Sequence, residues 1–166
     1  LTLIAGKDHE NGLQLMALQP VTYHDFKLLL ALAGKKEYNE AQAKGTVLHD
    51  ILSKIKQPEQ LKKAVATTVT EDVELYTTAI QKIVEVFEKQ HWFDAKWQQI
   101  NERNLFYKTE LLRADRILLS QDECIIIDYK TGTKEATHIK QLKKYKEAYS
   151  TIFTHKVSAF LLYTDT

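Results

Sequence analysis

The stretch LLRADRILLSQDECIIIDYKTG, residues 111–132, sets the reading of this chain. Two apolar runs, Ile117-Leu118-Leu119 and Ile125-Ile126-Ile127, flank the polar segment Ser120-Gln121-Asp122-Glu123. That pattern predicts two strands joined by a tight turn. A turn centred between Gln121 and Asp122 places Asp115 across the ladder from Asp128, with Cβ atoms about 4.5–5.5 Å apart. A slip of one residue would undo the pairing, and Gln-Asp is not a favoured two-residue turn. Two carboxylates about 5 Å apart repel by roughly 3 kcal/mol at an effective dielectric near 20. A divalent cation relieves that cost, and hard oxygen ligands suit Mg²⁺ or Mn²⁺. Alternate residues of a strand share a face, so Lys130 stands on the side of Asp128 and Asp115. Two aspartates with a neighbouring ammonium fit metal-assisted phosphodiester hydrolysis. An ordinary reading competes on spacing alone: Asp115 paired with Arg113 or Arg116 at the surface, and Asp128 ending a strand.

Outward from this segment the period changes. Residues 104–109, 111–119, 123–130 and 156–164 are short, Ile-, Leu-, Tyr- and Phe-rich runs that read as strands. Residues 22–33, 45–56, about 59–68 and 71–90 read as helices, the last with a stripe of Leu75, Ile80, Ile83, Val84 and Phe87. Trp92, Phe93 and Trp97 read as core aromatics. Between the last two strands His138, Leu142, Tyr145 and Tyr149 recur at helical spacing. Helices, three strands, a helix and a strand predict an α/β or α+β domain on a mixed sheet.

The chain's 166 residues suffice for one hydrophobic core, and 44% hydrophobic with 27% charged residues is ordinary for a globular domain. A net charge of +1 points to neither nucleic acid nor an acidic membrane, so any basic surface is local. The single cysteine, Cys124, excludes an internal disulfide framework and a cysteine-rich zinc or iron–sulfur site. It fits a reducing cytoplasm. No membrane span or signal peptide is legible. The chain opens mid-pattern on Leu1, as expected of a module from a longer polypeptide.

Several motifs together resemble the RecB-type nucleases of the PD-(D/E)XK superfamily. IIDYKTG follows RADRI. KGTVLHDIL resembles the family's Gly-x-x-x-His helix motif through Gly45 and His49, and HIKQLKKY its Gln-x-x-x-Tyr motif through Gln141 and Tyr145. Glu102 stands where relatives often carry a glutamate leading into the first core strand. The match runs from about 44 to 164. The resemblance implies an α-β-β-β-α-β restriction-endonuclease-like core with extra N-terminal helices, divided as an extension over 1–40 packed on a nuclease domain at 41–166. It implies that His49, Asp115, Asp128 and the Tyr129 carbonyl hold Mg²⁺ or Mn²⁺, and that Lys130 is the catalytic lysine. Gln141 and Tyr145 would contact the DNA backbone or brace the site. Leu112 replaces a common glycine, which bears on substrate geometry, and no cysteine set exists for the iron–sulfur cluster of some relatives.

The KGTVLH and DYKTG wording also resembles nuclease modules of bacterial UvrD-like, AddA-like helicases. That implies a cytoplasmic exonuclease module acting in DNA repair or recombination on single-stranded or unwound ends, with helicase domains in the same polypeptide or complex. No phosphate-binding motor loop is present in this chain. Lys134, Lys140, Lys143, Lys144 and Lys146, with Lys54 and Lys56, are candidates to line a strand channel by backbone contact. Solvated helix faces are the ordinary reading of those lysines. The rival enzyme class is an HD-type phosphohydrolase, from YHDF at 23–26 and LHDIL at 48–52, but that family is all-helical. The rival without chemistry is an idle DNA-binding module of the same fold.

Overall fold

Strand pairing follows the two apolar runs. In the computed structural model, which describes residues 40–154 and 156–164, Arg116 pairs with Ile127, Ile117 with Ile126, Leu118 with Ile125 and Leu119 with Cys124. This is the register expected from the turn at Gln121-Asp122. Ser120 makes that turn workable. Its amide donates to the Glu123 carbonyl at 2.9 Å, and its Oγ accepts from the amides of Asp122 and Glu123. The hydroxyl thus satisfies turn amides that a Gln-Asp pair leaves open.

The elements are α1 (Glu40–Lys54), a 3-10 turn (Pro58–Gln60), α2 (Leu61–Ala66), α3 (Val73–Lys89), β1 (Gln98–Tyr107), β2 (Glu110–Leu119), β3 (Glu123–Thr131), α4 (Ala136–Ser150) and β4 (Lys156–Thr164). The sheet order is β1-β2-β3-β4, antiparallel except for the parallel β3–β4 pair. A parallel neighbour requires a crossover, which α4 supplies. The mixed sheet with flanking helices is the α-β-β-β-α-β order expected, and it excludes the all-helical rival. The predicted helix at 22–33, the extension over 1–40 and the YHDF segment lie outside the described residues, apart from the start of α1.

The pleat sends alternate residues to opposite helices. Ile117, Cys124 and Ile126 pack with Tyr145, Ala148 and Tyr149 of α4. Arg116 turns the other way, to α1 and α3. Its guanidinium is buried, donates to the Leu52 carbonyl, and lies 5.0 Å from the Phe87 ring centroid. Trp92 seals that side, edge-on to Phe87 and tilted against Phe160, so it is a core aromatic. Every residue from Cys124 to Tyr129 is buried, which accounts for the unbroken apolar run of β3.

Two expectations change. β1 begins at Gln98, not at 104. Its first half reads as polar because those side chains do structural work at the C-terminal end of α1. Asn101 Nδ2 donates to the Ser53 carbonyl and Gln99 Nε2 to the Lys56 carbonyl. Asn101 thus takes a carbonyl of the last turn, Gln99 one just past the helix end, and Arg116 adds a second donor to the Leu52 carbonyl beside the Ile55 amide. Leu75 is 42% exposed, and the buried stripe of α3 starts instead at Tyr76. Tyr76 stands four residues before Ile80 and so shares its face; Leu75 stands five before.

Candidate active site at the fork between β2 and β3

The β2–β3 ladder ends at Arg116 and Ile127. Beyond it β2 stays paired with β1 as far as Glu110, while β3 stays paired with β4 as far as Thr131. The sheet therefore forks, with Asp115 and Asp128 at the apex. The fork arises where the pleat slips. Leu112 and Ala114 join the apolar cluster under α4, and so does Ile117, which breaks strict alternation. β1 slips in step, from Ile100 to Leu105. Glu102 lies in that slip at φ 48°, opposite Asp115, and the two are skipped by the ladder between Asn101–Arg116 and Arg103–Ala114. A non-glycine residue in the left-handed region costs about 1–2 kcal/mol. Glu102 is thus inside β1 and exposed, rather than leading into the strand.

Released from the ladder, the Asp115 carboxylate bridges the fork. Its Oδ2 accepts the Tyr129 amide at 2.7 Å, and its Oδ1 lies 3.2 Å from His49 Nδ1. His49 arrives on α1 because Gly45, one turn earlier, lets the helix close on β3. A Cβ at Gly45 would meet Thr131 Oγ1 at 3.2 Å. The same motif therefore contributes close approach through its glycine and an imidazole through its histidine. Its neighbour Asp50 is not part of the site; it ion-pairs with Lys54 at 2.9 Å in solvent.

Lys130 stands on the face of Asp128, as strand parity requires, with Nζ 2.7 Å from Oδ2. That short contact is a charge-assisted pair, and it is the Lys130 ammonium that compensates the buried Asp128 oxygen. Burial raises the Asp128 pKa and the Asp115 charge adds to the rise, with Lys130 and His49 opposing. Burial alone would lower the His49 pKa, but the hydrogen bond to Asp115 and the charges of Asp115 and Asp128 outweigh it, so the net shift is upward. Arg116 does not pair with Asp115, so the ordinary salt-bridge reading through that residue falls away.

On the other face α4 props the β2 arm. The Tyr145 hydroxyl donates to the Arg113 carbonyl at 2.7 Å and accepts from Gln141 Nε2 at 3.0 Å. Burial, then the charges of Asp128 and Asp115, push the Tyr145 phenol pKa upward. The five residues His49, Asp115, Asp128, Tyr129 and Lys130 meet at the apex, with Gln141 and Tyr145 behind it. The lysines are dispersed. Lys144 pairs with Glu110 of β2, Lys134 lies 5.6 Å from the Tyr163 ring centroid, and Lys140 is exposed on α4. Sequence reasoning missed the roles of Arg116, Gln99 and Asn101 in holding the end of α1; no hydrophobic periodicity marks such residues.

Among the described residues, no three His, Cys, Asp or Glu side chains converge as a ready-made metal cage. The donor chemistry nonetheless fits a divalent cation. His49 lies 3.2 Å from Asp115, Asp128 stands across the fork against Lys130, and burial and the Asp115 charge raise the pKa of Asp128. A cation between the carboxylates would offset the burial and the repulsion.

The family model described as the PD-(D/E)XK nuclease superfamily matches residues 23–165. The chain belongs to this superfamily. The match reaches further toward the N-terminus than the motifs from Gly45 onward. Comparison with curated proteins gives no match. The superfamily's nucleases are hydrolytic and usually use divalent metal ions. No helix among the described residues is long and apolar enough to cross a membrane.

Proposed function

We propose that this chain hydrolyses DNA phosphodiester bonds with Mg²⁺ or Mn²⁺, as the exonuclease module of a bacterial helicase–nuclease acting on single-stranded or unwound ends. The observation that carries the reading is the meeting of His49, Asp115, Asp128 and Lys130 where β2 and β3 part. Asp115, Asp128, His49 and the Tyr129 carbonyl would hold the ion. Bound there, the ion supplies Lewis acidity toward phosphate and lowers the pKa of water.

The protein's own groups do the rest. Asp128 fixes Lys130 Nζ at the apex, and that ammonium donates hydrogen bonds to the attacking water or to charge developing on the phosphate oxygens. Water oxygen bonds to phosphorus and gives up its proton to solvent water, the bond to the leaving oxygen breaks, and the leaving oxygen takes a proton from solvent. Tyr145, held by Gln141, braces the β2 arm so that Asp115 keeps its distance from β3. This favours bracing over direct DNA contact for the Gln-x-x-x-Tyr pair. The helicase association and the repair role rest on the motif resemblance.

The test is cleavage of single-stranded and duplex DNA with Mg²⁺ or Mn²⁺, run beside Asp128→Ala and Lys130→Ala. Metal-dependent cleavage lost in both variants supports the proposal. Equal cleavage by all three proteins defeats it. Metal-independent binding without cleavage would establish the idle-module reading.

A further inference from the structure

Past the fork, β1 and β2 project as a two-stranded ribbon closed at Lys108-Thr109. Its faces differ in chemistry. One lays Leu105, Tyr107, Leu112 and Ala114 over α4. The acidic groups near the tip belong to that side, with Glu110 paired to Lys144 and Glu147 to Lys108 and Tyr107. The opposite face sets Phe106 directly across from Leu111, followed by Asn104 across from Arg113. Phe106 is 70% exposed and Leu111 66%, the two most exposed large hydrophobics among the described residues.

Such a pair is too small for a stable protein interface, which buries roughly 800 Å² per partner. It suits a flat, charged polymer. An aromatic face offers stacking to any base, and an arginine beside it offers a phosphate contact. The strip also runs straight to the apex. Leu111 is four residues from Asp115, about 13 Å along the strand, or about four stacked nucleotides.

We infer that this outer face of the β1–β2 ribbon is a docking strip for a single nucleic-acid strand. Phe106 stacks on a base, Leu111 flanks it, and Arg113 meets a phosphate between that base and the apex. The inference rests on the nuclease reading and adds where the strand lies beyond the reacting bond.

Fluorescence anisotropy of the full chain in EDTA tests it, with a short labelled oligothymidylate and an abasic strand of equal length. Phe106→Ala should weaken oligothymidylate binding about 5- to 100-fold, while it and the wild type bind the abasic strand alike. Arg113→Ala should weaken both strands and reduce the salt slope by about 1. Oligothymidylate bound equally by wild type and Phe106→Ala overturns the strip and leaves the nuclease reading to the cleavage assay. Sedimentation showing a dimer that Phe106→Ala dissolves also overturns the strip, in favour of a second copy. A wild-type chain that neither binds nor cleaves DNA overturns both.

Discussion

The Tyr129 amide donates to the Asp115 carboxylate at 2.7 Å, across the first gap after the β2–β3 ladder ends. A side chain thus takes the place of a backbone carbonyl at the fork. Asp115 then faces His49 on one oxygen and β3 on the other. The geometry links the slipped pleat of β1 and β2 to the chemistry of the apex.

Asp128 is held at a thermodynamic cost. Burial, then the charge of Asp115, raises its pKa, so its ionised form destabilises the metal-free fold. A raised carboxylate pKa contributes stability below the ordinary value of 3.8 that is lost as pH rises through the folded value. Asp128→Asn should therefore raise the metal-free Tm at neutral pH by a few degrees, with the gain shrinking as pH falls toward that ordinary value. Mn²⁺ should raise the wild-type Tm and leave the variant's almost unmoved. Differential scanning calorimetry across pH reads both effects.

Lys130 is expected to act on the transition state more than on binding. Its ammonium sits against Asp128 with 19% side-chain exposure, where its hydrogen bonds gain strength from desolvation. Lys130→Ala should lower kcat about 10²- to 10³-fold with a small change in KM. Steady-state cleavage of a labelled oligonucleotide gives the split.

His49 links metal affinity to pH. Its pKa is raised because Asp115 and Asp128 together outweigh the effect of burial. A protonated imidazole cannot ligate, so its proton competes with the cation to above the ordinary value of 6.5. Mn²⁺ affinity should rise as pH increases from about 6 to 8. Calorimetric titration of His49→Ala should give weaker binding and a flatter pH dependence.

Gly45→Ala separates stability from activity. Alanine favours a helix by about 1 kcal/mol over glycine, but its Cβ meets Thr131 Oγ1 at 3.2 Å. The contact needs a few tenths of an ångström of give, and the share that α1 supplies shifts His49 relative to Asp115. Activity should fall several-fold while Tm holds or rises. Adding Thr131→Ala should restore much of the loss, which a double-mutant cycle on kcat/KM measures.

The parts of this fold legible in the sequence are those fixed by apolar contacts. Ile117–Leu119 and Ile125–Ile127 have one register that buries both runs, and Asp115, Asp128 and Lys130 follow from it by pleat geometry. The first half of β1 was hidden because Gln99 and Asn101 spend their polarity on the end of α1. Buried Arg116 was hidden for the same reason, since an arginine that caps a helix carbonyl looks like any surface charge in a sequence. The way Asp115 reaches the Tyr129 amide depends on the slip between Ala114 and Ile117, which strict alternation does not foresee.

Anomalous diffraction from crystals soaked in Mn²⁺ tests most directly whether the fork is a metal centre. A single strong peak within ligating distance of Asp115, Asp128 and His49, absent in Asp128→Asn, is the predicted result. A chain that cleaves DNA with Mn²⁺ while its manganese lies elsewhere, or binds unchanged without the Asp128 carboxylate, would contradict the account.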